Sequence, residues 1–401
     1  MPRHLNRPAV ALSVALAALS AACQPAPQRA AQLPGLTAEH ALPEPAIPFA
    51  PRTYVAYRTA QPLKVDGRLD EAAWRAAAWT DDFVDIEGPA EPAPRFRTRA
   101  KMLWDSTNLY IAAELTEPDV WATITERDAV IFRDNDFEVF IDPDGDTHQY
   151  YELEVNALGT AWDLFLQKPY RDNGHALNGW DIRGLQVGTR VDGTLNRPGD
   201  TDRGWTVELT LPWAALGEAA NTPAPPRAGD QWRVNFSRVE WRTRVEPDAQ
   251  GGRRGQAGRY VKVTDATTGK PVPEDNWVWS PQGVVNMHYP EMWGFVQFSN
   301  RVAGQGTETF APREMDALKW ILRVLYYREQ AWHARHGFFT DDLAKLGLTA
   351  PPRPGGAWAS IIGRPWPPVI DVTPNGYEAS LPLPAAAAPR RLVLTADGAI
   401  R

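Results

Sequence analysis

The chain has 401 residues, 43% of them hydrophobic and 23% charged, and a formal net charge of −7. Its lysines and arginines form no cluster interleaved with aromatic residues, which argues against a nucleic-acid partner. A single cysteine excludes an internal disulfide, so stability has to come from packing.

That cysteine, Cys23, closes a distinctive amino-terminal segment. Met1-Pro-Arg-His-Leu-Asn-Arg7 is basic, Ala9 to Ala18 is apolar, and Ser20-Ala-Ala leads into Cys23. A basic start, a short apolar core and small residues before a cleavage point describe an export signal. The apolar run is shorter than the roughly 20 residues a membrane-spanning helix needs. Small residues followed by cysteine resemble a bacterial lipobox, with Ser20 where leucine is usual. Residues 1–23 therefore predict export with a lipid on Cys23, and a protein held at the periplasmic or outer-membrane face. The alternative is an ordinary signal peptide cut near Ala22. Residues 24–51 are rich in Pro, Ala and Gln and predict a tether.

Residues 52–300 carry many short strand patterns punctuated by Gly, Pro, Asn and Asp. The clearest lie at 98–104, 109–115, 136–141, 150–155, 161–166, 205–211, 232–241 and 293–298. In the stretch Trp205-Thr-Val-Glu-Leu-Thr-Leu211, Trp205, Val207, Leu209 and Leu211 share one face. Short helices are expected only at 70–77 and 212–216. This spacing predicts a mainly β fold, an antiparallel β-sandwich.

The most informative stretch is the acidic hairpin pattern at 136–156. Phe137, Val139 and Ile141 alternate with Asp136, Glu138 and Phe140, and Tyr151, Leu153 and Val155 alternate with Glu152, Glu154 and Asn156. The connector Asp142-Pro-Asp-Gly-Asp146 contains the Pro and Gly that a reversal needs. Folding back places Asp136 and Glu138 near Glu154 and Asn156 on one face, and like charges across a ladder repel. Something must neutralise them. Arg238, beside Glu240, is the expected structural partner; a polar ligand or a cation are the other two readings. Asp142, Asp144 and Asp146 place hard oxygen ligands at alternate positions, as a calcium loop would, or form a plain acidic turn.

Residues 301–311 read as a linker, and 312–401 as a small α+β domain. Met315, Leu318, Leu322, Leu325 and Trp332 form an apolar stripe along one long helix over 313–336, with Gly337 as its stop. The opposite, charged face is expected to be solvated. A short second helix from Thr340 to near Gly347 and strands at 376–383 and 391–394 follow.

Five motifs in order carry a resemblance: Val65-Asp-Gly-Arg-Leu-Asp-Glu-Ala-Ala-Trp74, Trp104-Asp-Ser-Thr-Asn-Leu-Tyr-Ile111, the hairpin strands, Gly204-Trp-Thr-Val-Glu-Leu-Thr-Leu-Pro-Trp213 and Trp293-Gly-Phe-Val-Gln-Phe298. Residues 55–299 resemble carbohydrate-binding module family 9-like domains, within the wider group of DOMON-type sandwiches. The resemblance implies a concave face that binds a sugar end, often structural calcium, and work in polysaccharide breakdown. Sugar-binding members clamp the sugar between two tryptophans. The first place falls on Phe132; the second falls on Met287, among Trp279, His288, Tyr289 and Trp293. Glu138 matches a carboxylate that members use on sugar hydroxyls. Glu154 stands where those members have an arginine, so their glucose-end specificity does not carry over.

The expected ligand-binding set is thus Phe132, Asp136, Glu138, Glu154, Asn156, Arg238, Glu240, Trp279, His288, Tyr289 and Trp293. The chain lacks Gly-x-Ser-x-Gly, His-Glu-x-x-His and P-loop patterns, so no catalytic residue is assigned. The expected function is non-catalytic carbohydrate binding at the cell envelope, with calcium as the one candidate cofactor and no organic cofactor. The contending readings are a scaffold lipoprotein that has lost sugar binding, a glycoside hydrolase using paired carboxylates, and a haem-binding sandwich. The C-terminal domain is expected to serve docking to a protein partner or structure.

Overall fold

The computed structural model describes residues 42–247, 258–361, 366–383 and 390–401. The export signal, Cys23 and residues 24–41 of the tether lie outside the described residues.

The first strands and helix are β1 (Thr53–Arg58), α1 (Ala72–Ala76), β2 (Val84–Asp85), β3 (Thr98–Trp104) and β4 (Asn108–Thr116). Then come β5 (Asp136–Asp142), β6 (Tyr150–Asn156), β7 (Ala161–Leu166), β8 (Ala176–Leu177), β9 (Gln186–Asp192) and β10 (Gly204–Pro212). After α2 (Trp213–Leu216) follow β11 (Gln231–Glu240), β12 (Thr243–Glu246), β13 (Arg259–Lys262), β14 (Asp275–Val278) and β15 (Gly294–Val302). The remainder is α3 (Glu314–His336), β16 (Val369–Thr373), β17 (Gly376–Pro382) and β18 (Arg391–Thr395).

The main sheet runs β8-β7-β6-β5-β11-β15-β1-β3-β4-β10-β9. Its two halves face each other across a core that includes Trp104, Phe137, Val207, Leu209, Trp213, Trp232, Phe236 and Phe298. The predicted inner face of residues 205–211 is the observed one, with all four side chains buried. The sandwich is not wholly antiparallel. β1 pairs in parallel with β15 and then with β3, and its register slips between Ala56 and Arg58. A strand that bends at such an irregularity can leave one half-sheet and join the other, which closes the corner of the sandwich.

α3 ends at Gly337, whose φ of 78° is a left-handed stop that a side chain would resist. No second helix forms at 340–347; the chain turns instead. Thr340 Oγ1 accepts the Asp342 N–H and Asp342 Oδ1 accepts the Ala344 N–H, so side chains satisfy amides that a helix would have used. β16, β17 and β18 form a three-stranded sheet against which α3 packs.

The segments read as linkers are anchored where they are described. Phe49 is buried and stacks on Trp320 at 4.8 Å, which stabilises by about 2–3 kcal/mol. Glu44 pairs with Arg328 at 2.8 Å, and Tyr289 donates to the Pro43 carbonyl. Further on, Glu308 accepts from Gln297 Nε2 and Ser299 Oγ, and Phe310 packs on Trp358. One apolar cluster therefore joins Phe49, Tyr289 and Phe295 to α3, β17 and β18. The charged face of α3 is not simply solvated either: Arg323 and Glu329 are buried. Among the described residues, no helix is long and apolar enough to cross a membrane.

Candidate functional site

The hairpin forms in the register its alternation dictates. Glu138 lies opposite Glu154, Asp136 opposite Asn156 and Phe140 opposite Glu152. On the flanking strands, Trp162 of β7 lies beside Glu154, Leu164 beside Glu152, and Ser237 of β11 beside Glu138. Because side chains alternate strictly along a strand, these pairings line up Trp162, Glu154, Glu138 and Ser237 across four strands on the outer face.

This row is buried: Asp136 is 0%, Glu154 2%, Glu138 4% and Glu152 6% exposed. Asp136, Glu138 and Glu154 each bring a carboxylate oxygen within 4.8 Å of the others. Phe132 N–H donates to Glu154 at 2.9 Å, and Val239 N–H to Asp136 Oδ1 at 3.3 Å. Among the described residues, Asp136 Oδ2 and Trp162 Nε1 have no hydrogen-bond partner. Burial raises every one of these carboxyls, and their mutual repulsion adds to it for Asp136, Glu152 and Glu154. Glu138 is raised by burial to about 7, with Ser237 opposing the shift. Carboxyls raised in this way keep their protons to higher pH, so the face can donate hydrogen bonds as well as accept them.

Aromatic rings border the row. Phe132 and Trp241 are half-buried and joined by a bond from Trp241 Nε1 to the Phe132 carbonyl at 2.8 Å. Lys262 holds its ammonium 3.2 Å from the Trp241 ring centroid, and burial lowers it to about 8. On the other side Trp293 packs on Phe140 and Tyr150, and His288 Nδ1 shares a 2.9 Å hydrogen bond with Tyr150 Oη. Burial and nearby Arg171 hold His288 neutral, its value down at about 3. Tyr170, 45% exposed, meets the His288 ring edge-on at 4.5 Å.

Of the expected residues, Phe132, Asp136, Glu138, Glu154, His288 and Trp293 come together on this face. Asn156 is next to it but spends its amide on Ile124, Asp134, Leu158 and Thr160. Arg238 and Glu240 do not neutralise the row. They point to the inner face, where Arg238 pairs with Glu117 at 2.6 Å and Glu240 at 2.8 Å. Arg238 lies opposite Phe137, in phase with Trp232, Val234 and Phe236, and that phase faces the core. Trp279 is a core residue against Phe236. Tyr289 turns away to stack on Tyr327 of α3. Glu152, Trp162, Tyr170, Ser237, Trp241 and Lys262 are the additions. For Glu152, Trp162 and Ser237, strand phase was the available signal; Tyr170 lies on a loop, and Trp241 and Lys262 at strand ends, with no such signal.

The 142–146 turn brings Asp142, Asp144 and Asp146 together, each offering a carboxylate oxygen within 4.8 Å of the others. Asp142 accepts the Gly145 and Thr147 N–H groups, Asp144 those of Asp146 and the Asn221 amide, and Asp146 that of His148. Lys319 of α3 places its ammonium 2.8 Å from the Gly145 carbonyl and 3.1 Å from that of Asp144. Most of these carboxylate oxygens already accept hydrogen bonds from the turn, and Lys319 brings one positive charge to its carbonyls. Calcium is accordingly expected to leave hydrogen exchange at 142–148 unchanged in the wild type, whereas Lys319→Met is expected to accelerate it. Protection by calcium of these residues in the wild type would contradict this assignment.

Residues 65–225 match the family model described as carbohydrate family 9 binding domain-like. The matched stretch contains the acidic hairpin and lies within the sandwich, whose sheet also takes in β1, β11, β14 and β15. No curated protein matches the chain. A carbohydrate binding module family 9 from Caldicellulosiruptor kristjanssonii, in complex with cellotriose, is 14% identical with a TM-score of 0.37, covering 65% of this chain and 100% of its own. The same organism's module in complex with glucose is 16% identical with a TM-score of 0.33, covering 64% and 100%.

Proposed function

We propose that the sandwich, of which residues 65–225 are family 9-like, binds carbohydrate, without catalysis, on the outer face of β5, β6, β7 and β11. The observation that carries this reading is the buried row itself. Three carboxyls held within 4.8 Å of one another, with Asp136 Oδ2 left without a partner among the described residues, are costly for folding alone. Sugar hydroxyls both donate and accept, so they complement a mixture of carboxylates and carboxylic acids. The bordering rings of Trp162, Tyr170, Phe132 and Trp241 offer flat apolar faces for the C–H surfaces of a pyranose.

Calcium belongs to the same proposal. The Asp136–Glu138–Glu154 group has an unpartnered carboxylate oxygen, and a divalent cation there would bridge the carboxylates to a sugar. The amino-terminal pattern supports placing the protein at the bacterial envelope through Cys23. Loss of lipid labelling in Cys23→Ala would support the anchor, and labelling that persists would remove it.

One observation favours a second reading, a scaffold that has lost sugar binding: the four carboxyls are each 6% exposed or less, so the face is largely covered. Calorimetry with cellotriose and glucose, backed by a glycan array, separates the two. Wild type is expected to bind, Glu138→Ala to lose binding with its fold intact, and chelation to reveal whether a cation takes part. No binding to any glycan would leave the scaffold reading in front.

A further inference from the structure

The loop that brings Tyr170 to the rim of the acidic row is held from beneath by the C-terminal helix. Arg171 Nη2 donates to Glu291 at 2.9 Å and Nη1 to the His288 carbonyl at 3.3 Å. Its guanidinium carbon lies 4.4 Å from the Tyr289 ring centroid. Asp172, the next residue, accepts a hydrogen bond from Tyr326 of α3, and Glu291 accepts one from Tyr327 of α3. Arg323, also of α3, lies 3.8 Å from Glu291. All four ionisable side chains, Arg171, Asp172, Glu291 and Arg323, are 5% exposed or less. Two loops of the sandwich, 170–172 and 288–291, thus converge on three residues of one helix.

Both loops end at the site. Tyr170 meets His288 edge-on, His288 stands on Phe140 and Tyr150, and Phe140 lies opposite Glu152 in the hairpin. Tyr170 is exposed, so the packing that fixes its ring is on one side only. A one-sided aromatic on a surface loop would ordinarily lose its orientation to conformational entropy. Here the residues that follow it in sequence are locked by buried charge-assisted hydrogen bonds, which are geometrically demanding.

We infer that Tyr326 is a positioning residue: its bond to Asp172 lets α3 set the orientation of Tyr170 as a binding platform at the acidic row. This rests on the carbohydrate reading for its ligand but not for its mechanical content. The C-terminal helix is then part of the binding machinery without touching the ligand. Energy spent ordering the 170–172 loop in the free protein is energy not lost on binding, which is how preorganisation raises affinity.

The test uses the full chain with Tyr326→Phe, which removes one hydroxyl and keeps the ring, alongside Tyr170→Ala and the double variant. Two measurements are made: hydrogen exchange of residues 168–174 against β10 as an internal reference, and calorimetric affinity for cellotriose. Tyr326→Phe is expected to speed exchange at 168–174, leave β10 unchanged, and weaken cellotriose binding about tenfold, a typical coupling between sites. In the double variant no further loss beyond Tyr170→Ala is expected, because Tyr326 acts through that ring. Unchanged exchange at 168–174 overturns the inference, as does faster exchange throughout β10, or additive losses of affinity. If the wild type binds no glycan on the array, the carbohydrate reading falls, and the exchange result alone supports or overturns the lock.

Discussion

Replacing Glu138 with Gln is expected to stabilise the folded chain by about 3 kcal/mol at pH 8 while removing ligand binding. Burial raises the Glu138 carboxyl from 4.5 to about 7. Every tenfold gain in proton affinity corresponds to about 1.4 kcal/mol. A raised value means that the folded state holds its proton where the unfolded state has released it. Stability tied to that proton is therefore fully present below the unfolded value near 4.5 and is lost as pH rises through about 7. Glutamine keeps the shape and carries no charge, so the gap between Glu138→Gln and wild type should be small at pH 5 and open progressively to pH 8. Because Asp136, Glu152 and Glu154 titrate with Glu138, the transition will be broad and belong to the group. Urea unfolding of both proteins across this range measures it. A gap that stays flat with pH would mean that a bound cation or another group neutralises the row. A substitution that stabilises the fold and abolishes binding separates function from folding at one atom.

The second large effect is expected at the junction with α3. Glu291→Ala should destabilise the protein by about 3–5 kcal/mol, because it strands the buried Arg171 and Arg323 without their shared carboxylate. Burial alone would raise the Glu291 carboxyl, but the two guanidinium groups and the Tyr327 hydroxyl outweigh it and hold it at about 2. For a lowered value the sign is opposite to that of Glu138. The stability is present above the unfolded value near 4.5 and is lost only as pH falls toward 2. The wild-type advantage should accordingly be constant from pH 8 to 5 and shrink in stronger acid. An advantage below about 1 kcal/mol at pH 7 would be that of an exposed ion pair, and would contradict the buried geometry.

Much of the acidic row was legible because a hairpin is local. The turn at Pro143 and Gly145 sets how β5 folds onto β6, and period-two alternation then decides which residues face each other. The same rule could have placed Arg238. It shares its phase with Trp232, Val234 and Phe236, which must face the core, while Asn235 and Ser237 share the other phase. Charge complementarity suggested Arg238 as the partner of Glu138, but a strand cannot turn one residue of its inner face outward. Tyr170 gave no such signal, since its loop is placed by residues far along the chain.

What the sequence by itself determined is strand identity, strand phase and the register of the hairpin, together with the helix stripe and its glycine stop. These depend on residues within a few positions of one another, where backbone geometry leaves little choice. Only the tertiary structure decided which distant charged groups meet and what supports the site. Lys319 reaches Gly145 across 174 positions, and Arg171 reaches Glu291 across 120. Such pairings follow from how the sandwich and α3 share one apolar cluster, and alternation along a single strand carries no information about them.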